Sequence, residues 1–176
     1  MLYLNQPIIT SEAEILIVPC GLDGLIEPDT LQWDVSQFYG VSYDKEFHED
    51  LEAEMIEVGK PGMYKNPDTD QIVINFPIRD AAGNGIILTE IISQMREITQ
   101  FVAQSKSITT IAVPPLGKDY SWEHVENMCQ RFENLYGDRG VEFWLYPPDD
   151  VEDEPVGDEE VEVVRDVIAE RLGVTV

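Results

Sequence analysis

Four short apolar runs in this chain stop at proline, and that pattern restricts the fold more than any other feature of the sequence. They are Glu14–Pro19, Gln71–Phe76 ahead of Pro77, Thr109–Val113 ahead of Pro114 and Pro115, and Val141–Tyr146 ahead of Pro147 and Pro148. The first and third show no polar alternation, the pattern of strands buried on both faces. Proline cannot donate to a sheet ladder, so each proline predicts the carboxyl end of its strand. Helical patterns lie between the runs. Strand alternating with helix predicts an α/β fold with a largely parallel or mixed sheet covered on both sides. Ligands of open α/β sheets sit at the carboxyl ends of the strands, so the turn after Val113 is the expected pocket wall.

Further elements follow from spacing. Met1–Asn5 predicts a first short strand that Pro7-Ile8-Ile9 extends or restarts, and Ser11–Glu14 a single helical turn. Cys20–Gly24 is a glycine-bearing turn; it either brings backbone amides close to a phosphate or simply needs positive φ. Asp29–Phe38 predicts a helix with Leu31, Val35 and Phe38 in line and Asp29 or Thr30 as cap. Tyr43–Val58 predicts another, with Phe47, Leu51 and Met55 every fourth residue and acids elsewhere; His48 among them has no evident role. Met63-Tyr64-Lys65 is expected to pair with Gln71–Phe76 as a hairpin. Arg79, at the start of the loop Ala81–Gly85, either binds phosphate or pairs with Asp80. Thr89–Ser105 predicts a helix with Ile91, Met95, Ile98 and Val102 as its stripe, Ile92 and Phe101 beside it and Thr89 as cap. Ser121–Tyr136 predicts the last helix of the body, with Trp122, Val125, Cys129, Phe132 and Leu135 on one face and Gly137–Gly140 ending it.

At 176 residues the chain is long enough for one domain with a real core. No apolar run is long enough to cross a bilayer and the amino terminus lacks an export pattern, so the expected location is the cytoplasm. Cys20 and Cys129 have no metal-type spacing and are expected to be free buried thiols; no metal or other cofactor is expected. The formal net charge is −24. Such a chain repels nucleic-acid phosphate and anionic membrane and associates with basic protein surfaces, or the charge serves solubility alone. Composition changes after Pro148. Residues 149–160 read as an acidic linker, and Glu159–Leu172 as an amphipathic helix with Val161, Val164, Val167 or Ile168, and Leu172 in line. That stripe docks on the body, on a partner or on another copy of the chain.

Three stretches resemble a known family. Ser11–Pro19, Ile74-Asn75-Phe76-Pro77, and Ile111-Ala112-Val113-Pro114-Pro115-Leu116-Gly117 with Trp122 beyond are similar to macrodomains, above all the bacterial antitoxin macrodomains that remove ADP-ribose from DNA. Tyr146-Pro147 also fits their last strand. The resemblance covers roughly Met1–Asp149. It implies a three-layer αβα sandwich with a mixed central sheet over residues 1–148, leaving 149–176 outside. The departures fall on the ligand site. Pro7 stands where the family has its adenine-binding aspartate. Val18-Pro19-Cys20-Gly21 replaces the loop that begins Asn-Pro with an asparagine two residues on, and Leu25-Ile26-Glu27-Pro28-Asp29 replaces a glycine-rich run. Lys118-Asp119-Tyr120 replaces a longer glycine-rich phosphate loop. Arg79 displaces the lysine that follows Asn-Phe-Pro, and a guanidinium is a poor proton shuttle.

Two functions are implied. One is a binding module for ADP-ribose or a related nucleotide, with Cys20, Gly21, Phe76, Arg79, Leu116, Gly117, Lys118 and Asp119 around the pocket and Tyr146 stacking on a base. An active form would hydrolyse an ADP-ribosyl bond; Asp119 is the nearest candidate base, or else a helix cap, so hydrolysis is expected to be very weak or lost. The other is an acidic, non-enzymatic interaction protein, such as a viral inhibitor of a host nucleic-acid-binding or defence protein, which uses its charge and carboxyl-terminal helix on a basic partner. The first needs an open pocket beside Pro19, Pro77 and Gly117. The second expects that pocket filled, by Leu25, Ile26 or Tyr120.

Overall fold

All four apolar runs form strands. The computed structural model describes residues 1–149, so the expected acidic linker and amphipathic helix lie outside the described residues. In chain order the strands are β1 (Leu2–Tyr3), β2 (Ile15–Gly21), β3 (Gly62–Lys65), β4 (Ile72–Arg79), β5 (Thr110–Val113) and β6 (Glu142–Leu145). The helices are α1 (Leu31–Tyr39), α2 (Val41–Glu52), α3 (Leu88–Gln104) and α4 (Trp122–Tyr136). The sheet order is β1-β6-β5-β2-β4-β3. Its pairs are parallel except β3 with β4, the expected hairpin, so the sheet is mixed.

Side chains alternate across the sheet and divide its core in two. Ile15, Ile17, Ile74, Phe76, Ile111, Val113, Phe143 and Leu145 pack with the stripes of α3 and α4. Leu16, Val18, Val73 and Ala112 pack on the other face with Val35 of α1 and Tyr43 of α2. Two helices, a sheet and two helices make the three-layer αβα sandwich. Tyr43 is fully buried, and its hydroxyl donates to Asn75 Oδ1 at 2.6 Å, so the one polar side chain inside β4 is satisfied.

Two prolines do not end their strands. The Glu14 carbonyl accepts from the Ile72 amide at 2.8 Å, so even-numbered residues of β2 turn their backbone groups to β4 and odd-numbered ones to β5. The Pro19 nitrogen therefore points to the β5 side, beyond the last paired residues, Leu16 and Ala112. By the same parity the Pro77 nitrogen points to the β3 side, beyond the pair Gly62–Asn75. The Pro77 carbonyl, left without a strand partner, accepts from Gln94 Nε2 of α3 at 3.0 Å. No ladder bond is lost at either proline, and β2 and β4 run through them.

Local expectations were corrected elsewhere. The first helical turn is Ile8–Thr10, not Ser11–Glu14, and it replaces the expected strand at residues 7–9. α2 stops at Glu52; Glu54 takes a left-handed φ of 55° that no helix continues through, and Met55 is exposed. Thr30 caps α1 and Ser121 caps α4, each accepting from an amide three residues on at 3.2 Å. α3 starts at Leu88, too early for Thr89 to cap it. Phe38, Phe101 and Leu135, expected on buried faces, are exposed. Both cysteines are free and buried.

Candidate functional site

The carboxyl ends of β2, β4, β5 and β6 border an open cleft of about 550 Å³. Pro19 and Cys20 of β2, Ile78 and Arg79 of β4, Pro114, Pro115 and Gly117 after β5, and Tyr146 after β6 form one side. Leu25, Glu27 and Asp29 of the loop before α1, with Gln32 and Asp34 of its first turns, form the other. The cleft follows from the strand ends. β2 and β5 pair only through Ile15–Leu16 and Ile111–Ala112, and are unpaired with each other beyond them.

Arg79 is the cleft's one cation among its lining residues, against the carboxylates of Glu27, Asp29, Asp34 and Asp149. Its Nη1 donates to Glu27 Oε2 at 3.3 Å. Its Nε is buried and has no hydrogen-bond partner among the described residues. Asp80 is not its partner; that carboxylate accepts from the Ala82 and Asn84 amides at 3.0 and 2.9 Å and so shapes the loop. Gly21 makes room for the guanidinium. A Cβ at Gly21 would meet Arg79 Nη2 at 3.0 Å and Asp23 Oδ1 at 2.8 Å. An arginine fork with free donors suits the oxygens of a phosphate or carboxylate.

Four of the nine expected site residues line the cleft: Cys20, Arg79, Gly117 and Tyr146. Gly117 has φ +90°, a conformation that keeps the turn after β5 glycine-dependent. Cys20 is nearly inaccessible, and burial pushes its thiol up despite the opposing effect of nearby Arg79. It therefore supplies no thiolate. Tyr146 is 3 % exposed, and its hydroxyl donates to Ser11 Oγ at 2.7 Å. Phe76 and Leu116 have no exposed surface; both belong to the core on the α3 and α4 face. Gly21 sits behind Arg79. Lys118 and Asp119 are exposed outside the cleft, and Asp119 does not cap α4, a role Ser121 takes. Asp119 borders a separate shallow depression with Gly85, Tyr120 and His124.

None of the three side chains expected to fill the pocket does so. Leu25 is 60 % exposed on the rim. Ile26 packs into the core beside α2. Tyr120 is buried elsewhere, its hydroxyl donating to the carbonyls of Ile78 and Ile86. The sequence reading missed the acidity of the site. Glu27 was legible as an intruder in the first loop, whereas Asp34 and Asp149 meet it only through the fold. Neither histidine lines the cleft, and no group of side chains suited to a metal ion occurs among the described residues.

No protein-family model matches the chain, and no curated protein matches it. Solved structures do. The macrodomain of Mycobacterium tuberculosis DarG superposes with a TM-score of 0.73 at 19 % identity, covering 84 % of this chain and 97 % of that one. Thermosipho africanus DarTG, solved in complex with ADP-ribose, gives 0.72 at 20 % identity over 88 % of this chain and 43 % of that one. The macrodomain of Thermus aquaticus DarG gives 0.67 at 17 % identity, over 84 % and 97 %. These likenesses agree with the strand order and the two helical layers described above: the chain has the macrodomain fold.

Proposed function

We propose that this chain binds ADP-ribose or a closely related nucleotide in the cleft at the carboxyl ends of β2, β4, β5 and β6, and that it does not hydrolyse ADP-ribosyl bonds at an enzyme-like rate. One observation carries the reading: the cleft is open, and Arg79, the one cation among its lining residues, stands in its wall with Nη1 on a single carboxylate, Glu27, at 3.3 Å. The complex of Thermosipho africanus DarTG with ADP-ribose supports the choice of ligand. Arg79 takes the diphosphate and gives up Glu27. The Gly117 turn lets the chain approach the ligand closely. The surrounding carboxylates oppose a dianion, so affinity is modest and falls as salt is lowered, where their repulsion is least screened. The expected loss of hydrolysis rests on the departures from the family's site loops and on Asp119, the candidate base, lying outside the cleft. Calorimetric titration of the purified protein with ADP-ribose, NAD and AMP tests the binding. Heat with ADP-ribose that disappears in Arg79→Ala is expected; no heat with any of the three refutes the reading. Release of ADP-ribose from modified DNA at enzyme-like rates would refute the lost hydrolysis.

The net charge of −24 favours a second reading, an acidic interaction protein that occupies a basic protein surface. Deleting residues 151–176 then abolishes partner binding while the body stays folded. Binding unchanged by that deletion counts against a tail-dependent mechanism.

A further inference from the structure

The end of the sheet opposite the cleft carries a depression of about 480 Å³, between the residues that lead into β2 and β4 and the last turn of α1. Ile9, Ala13, Phe38 and Tyr39 supply its apolar lining. Phe38 is 65 % exposed, although it stands in line with the buried Val35 of the same helix. Its ring meets Tyr39 edge to face, with centroids 4.9 Å apart. Tyr39 is held in turn. Its ring packs edge to face on Tyr64, and its hydroxyl donates to Gln71 Oε1 at 3.4 Å. Gln71 is anchored by the Ser11 and Ala13 carbonyls. The aromatic wall is therefore preformed, and the outer ring has an uncovered face. The charge around it has one sign. Glu12, Glu14 and Asp70 line the depression, and no lysine, arginine or histidine does. Glu14 Oε2 is engaged by Thr109 and Thr110. Glu12 and Asp70 are exposed, and neither forms an ion pair with a described residue. The carboxyl end of α1 points here with no basic residue in its last turn, so the helix dipole adds to the negative potential.

We infer that this depression takes an arginine side chain from a basic protein partner. The inference rests on the reading of the chain as an acidic interaction protein, and it gives that reading a contact on the body, separate from residues 151–176. Two properties of the depression select arginine. A guanidinium lays its flat face on an aromatic ring, and Phe38 offers one that is open to solvent. Its edge then donates to carboxylates, and Glu12 and Asp70 stand ready without a cation of their own. A lysine ammonium would meet the charge but has no planar face to stack. The net charge of −24 works in the same direction at longer range, because it steers a basic surface toward the chain and raises the rate of encounter. The depression lies at the amino ends of the strands and the nucleotide cleft at their carboxyl ends, so one ligand does not exclude the other.

The test is NMR of the ¹⁵N-labelled full chain at low salt, titrated with an amidated tetra-arginine peptide and, separately, with tetra-lysine. The largest amide shifts are expected at Ala13, Phe38, Tyr39 and Asp70, with tetra-arginine binding about threefold or more tighter than tetra-lysine. Phe38→Ala is expected to bring the arginine peptide down to the affinity of the lysine peptide. Glu12→Gln/Asp70→Asn is expected to weaken both peptides. All three side chains are exposed, and the amide spectrum of the β2 and β4 core serves as the folding control. Shifts that centre on another acidic surface, such as α2, overturn the site and leave the acidic-interaction reading standing. Arginine binding unchanged in both variants does the same. Equal affinity for the two peptides overturns stacking on Phe38, and with it the choice of arginine. No shift anywhere in the chain with either peptide overturns both the site and the reading beneath it.

Discussion

The two ends of the central sheet are built on opposite plans. At the amino end, side chains lash three strands together. Glu14 Oε2 accepts from the backbone amides of Thr109 and Thr110 at 2.6 and 2.9 Å and from their hydroxyls at 3.3 and 3.0 Å. The Gln71 amide donates to the Ser11 and Ala13 carbonyls, both at 2.9 Å. At the carboxyl end, the β2–β5 ladder stops after Leu16 and Ala112, and Arg79 keeps one loose carboxylate partner. A chain that spends its polar side chains on itself at one end has a rigid base there. The other end is left with an opening and an incompletely satisfied cation. That division between a closed base and an open rim is what a binding fold needs, because the rim can exchange partners without loosening the core.

The strongest way to break this comparison is at the base. Glu14→Ala is expected to cost about 2 kcal/mol, since several donors lose a charged acceptor, and urea unfolding monitored by tryptophan fluorescence measures it. Burial alone would raise the Glu14 carboxyl, but its hydrogen bonds outweigh that and hold it below the ordinary glutamate range. A carboxyl lowered in the folded state stabilises above its unfolded value and loses that contribution as pH falls through its folded value. The gap between the unaltered chain and Glu14→Gln should therefore be full at neutral pH and shrink below about pH 4. A gap that widens in acid would show that Glu14 does not hold the base as a carboxylate.

At the rim the pattern reverses, with little effect on stability and a large one on ligand. Arg79→Ala should change unfolding free energy by less than about 1 kcal/mol, because a half-exposed ion pair contributes little, yet remove ADP-ribose binding in the titration. Glu27→Gln should tighten that binding by about tenfold, since a carboxylate a few ångströms from the guanidinium no longer competes with the diphosphate. Unchanged affinity there would mean that Arg79 does not meet the ligand's charge. The smallest effect belongs to Pro19→Ala. Its nitrogen faces no strand, so only unfolded-chain entropy and slight packing change, and less than about 1 kcal/mol is expected. A larger loss in thermal unfolding would show that the proline itself holds the strand end.

How far the sequence revealed this architecture depended on parity. The apolar runs located four strands, and the stripes of α3 and α4 located their buried faces. Whether Pro19 and Pro77 ended their strands turned on which neighbour each nitrogen faces, and that is fixed only once the pairing is known. The same parity put Phe76 on the α3 and α4 face, inside the core, rather than in the cleft where its motif suggested. Arg79 and Gly117 were recognisable because they sit at strand ends beside glycine or proline. The acidity of the rim was not, since Glu27, Asp34 and Asp149 are far apart in the chain and share no local pattern. Helix ends showed the same limit. Thr30 was legible as a cap, while the left-handed Glu54 that ends the α2 segment carried no signal.

The central claim is that the open rim takes a diphosphate ligand at Arg79. Its most direct test is NMR of the ¹⁵N-labelled protein titrated with ADP-ribose, following the Arg79 Nε–H resonance. The account predicts that this signal moves as the guanidinium exchanges Glu27 for the diphosphate, together with the backbone amides of Cys20 and Gly117, while the Thr109 and Thr110 amides at the base stay fixed. An Arg79 signal unmoved by ADP-ribose, or shifts confined to residues outside the cleft, would contradict it.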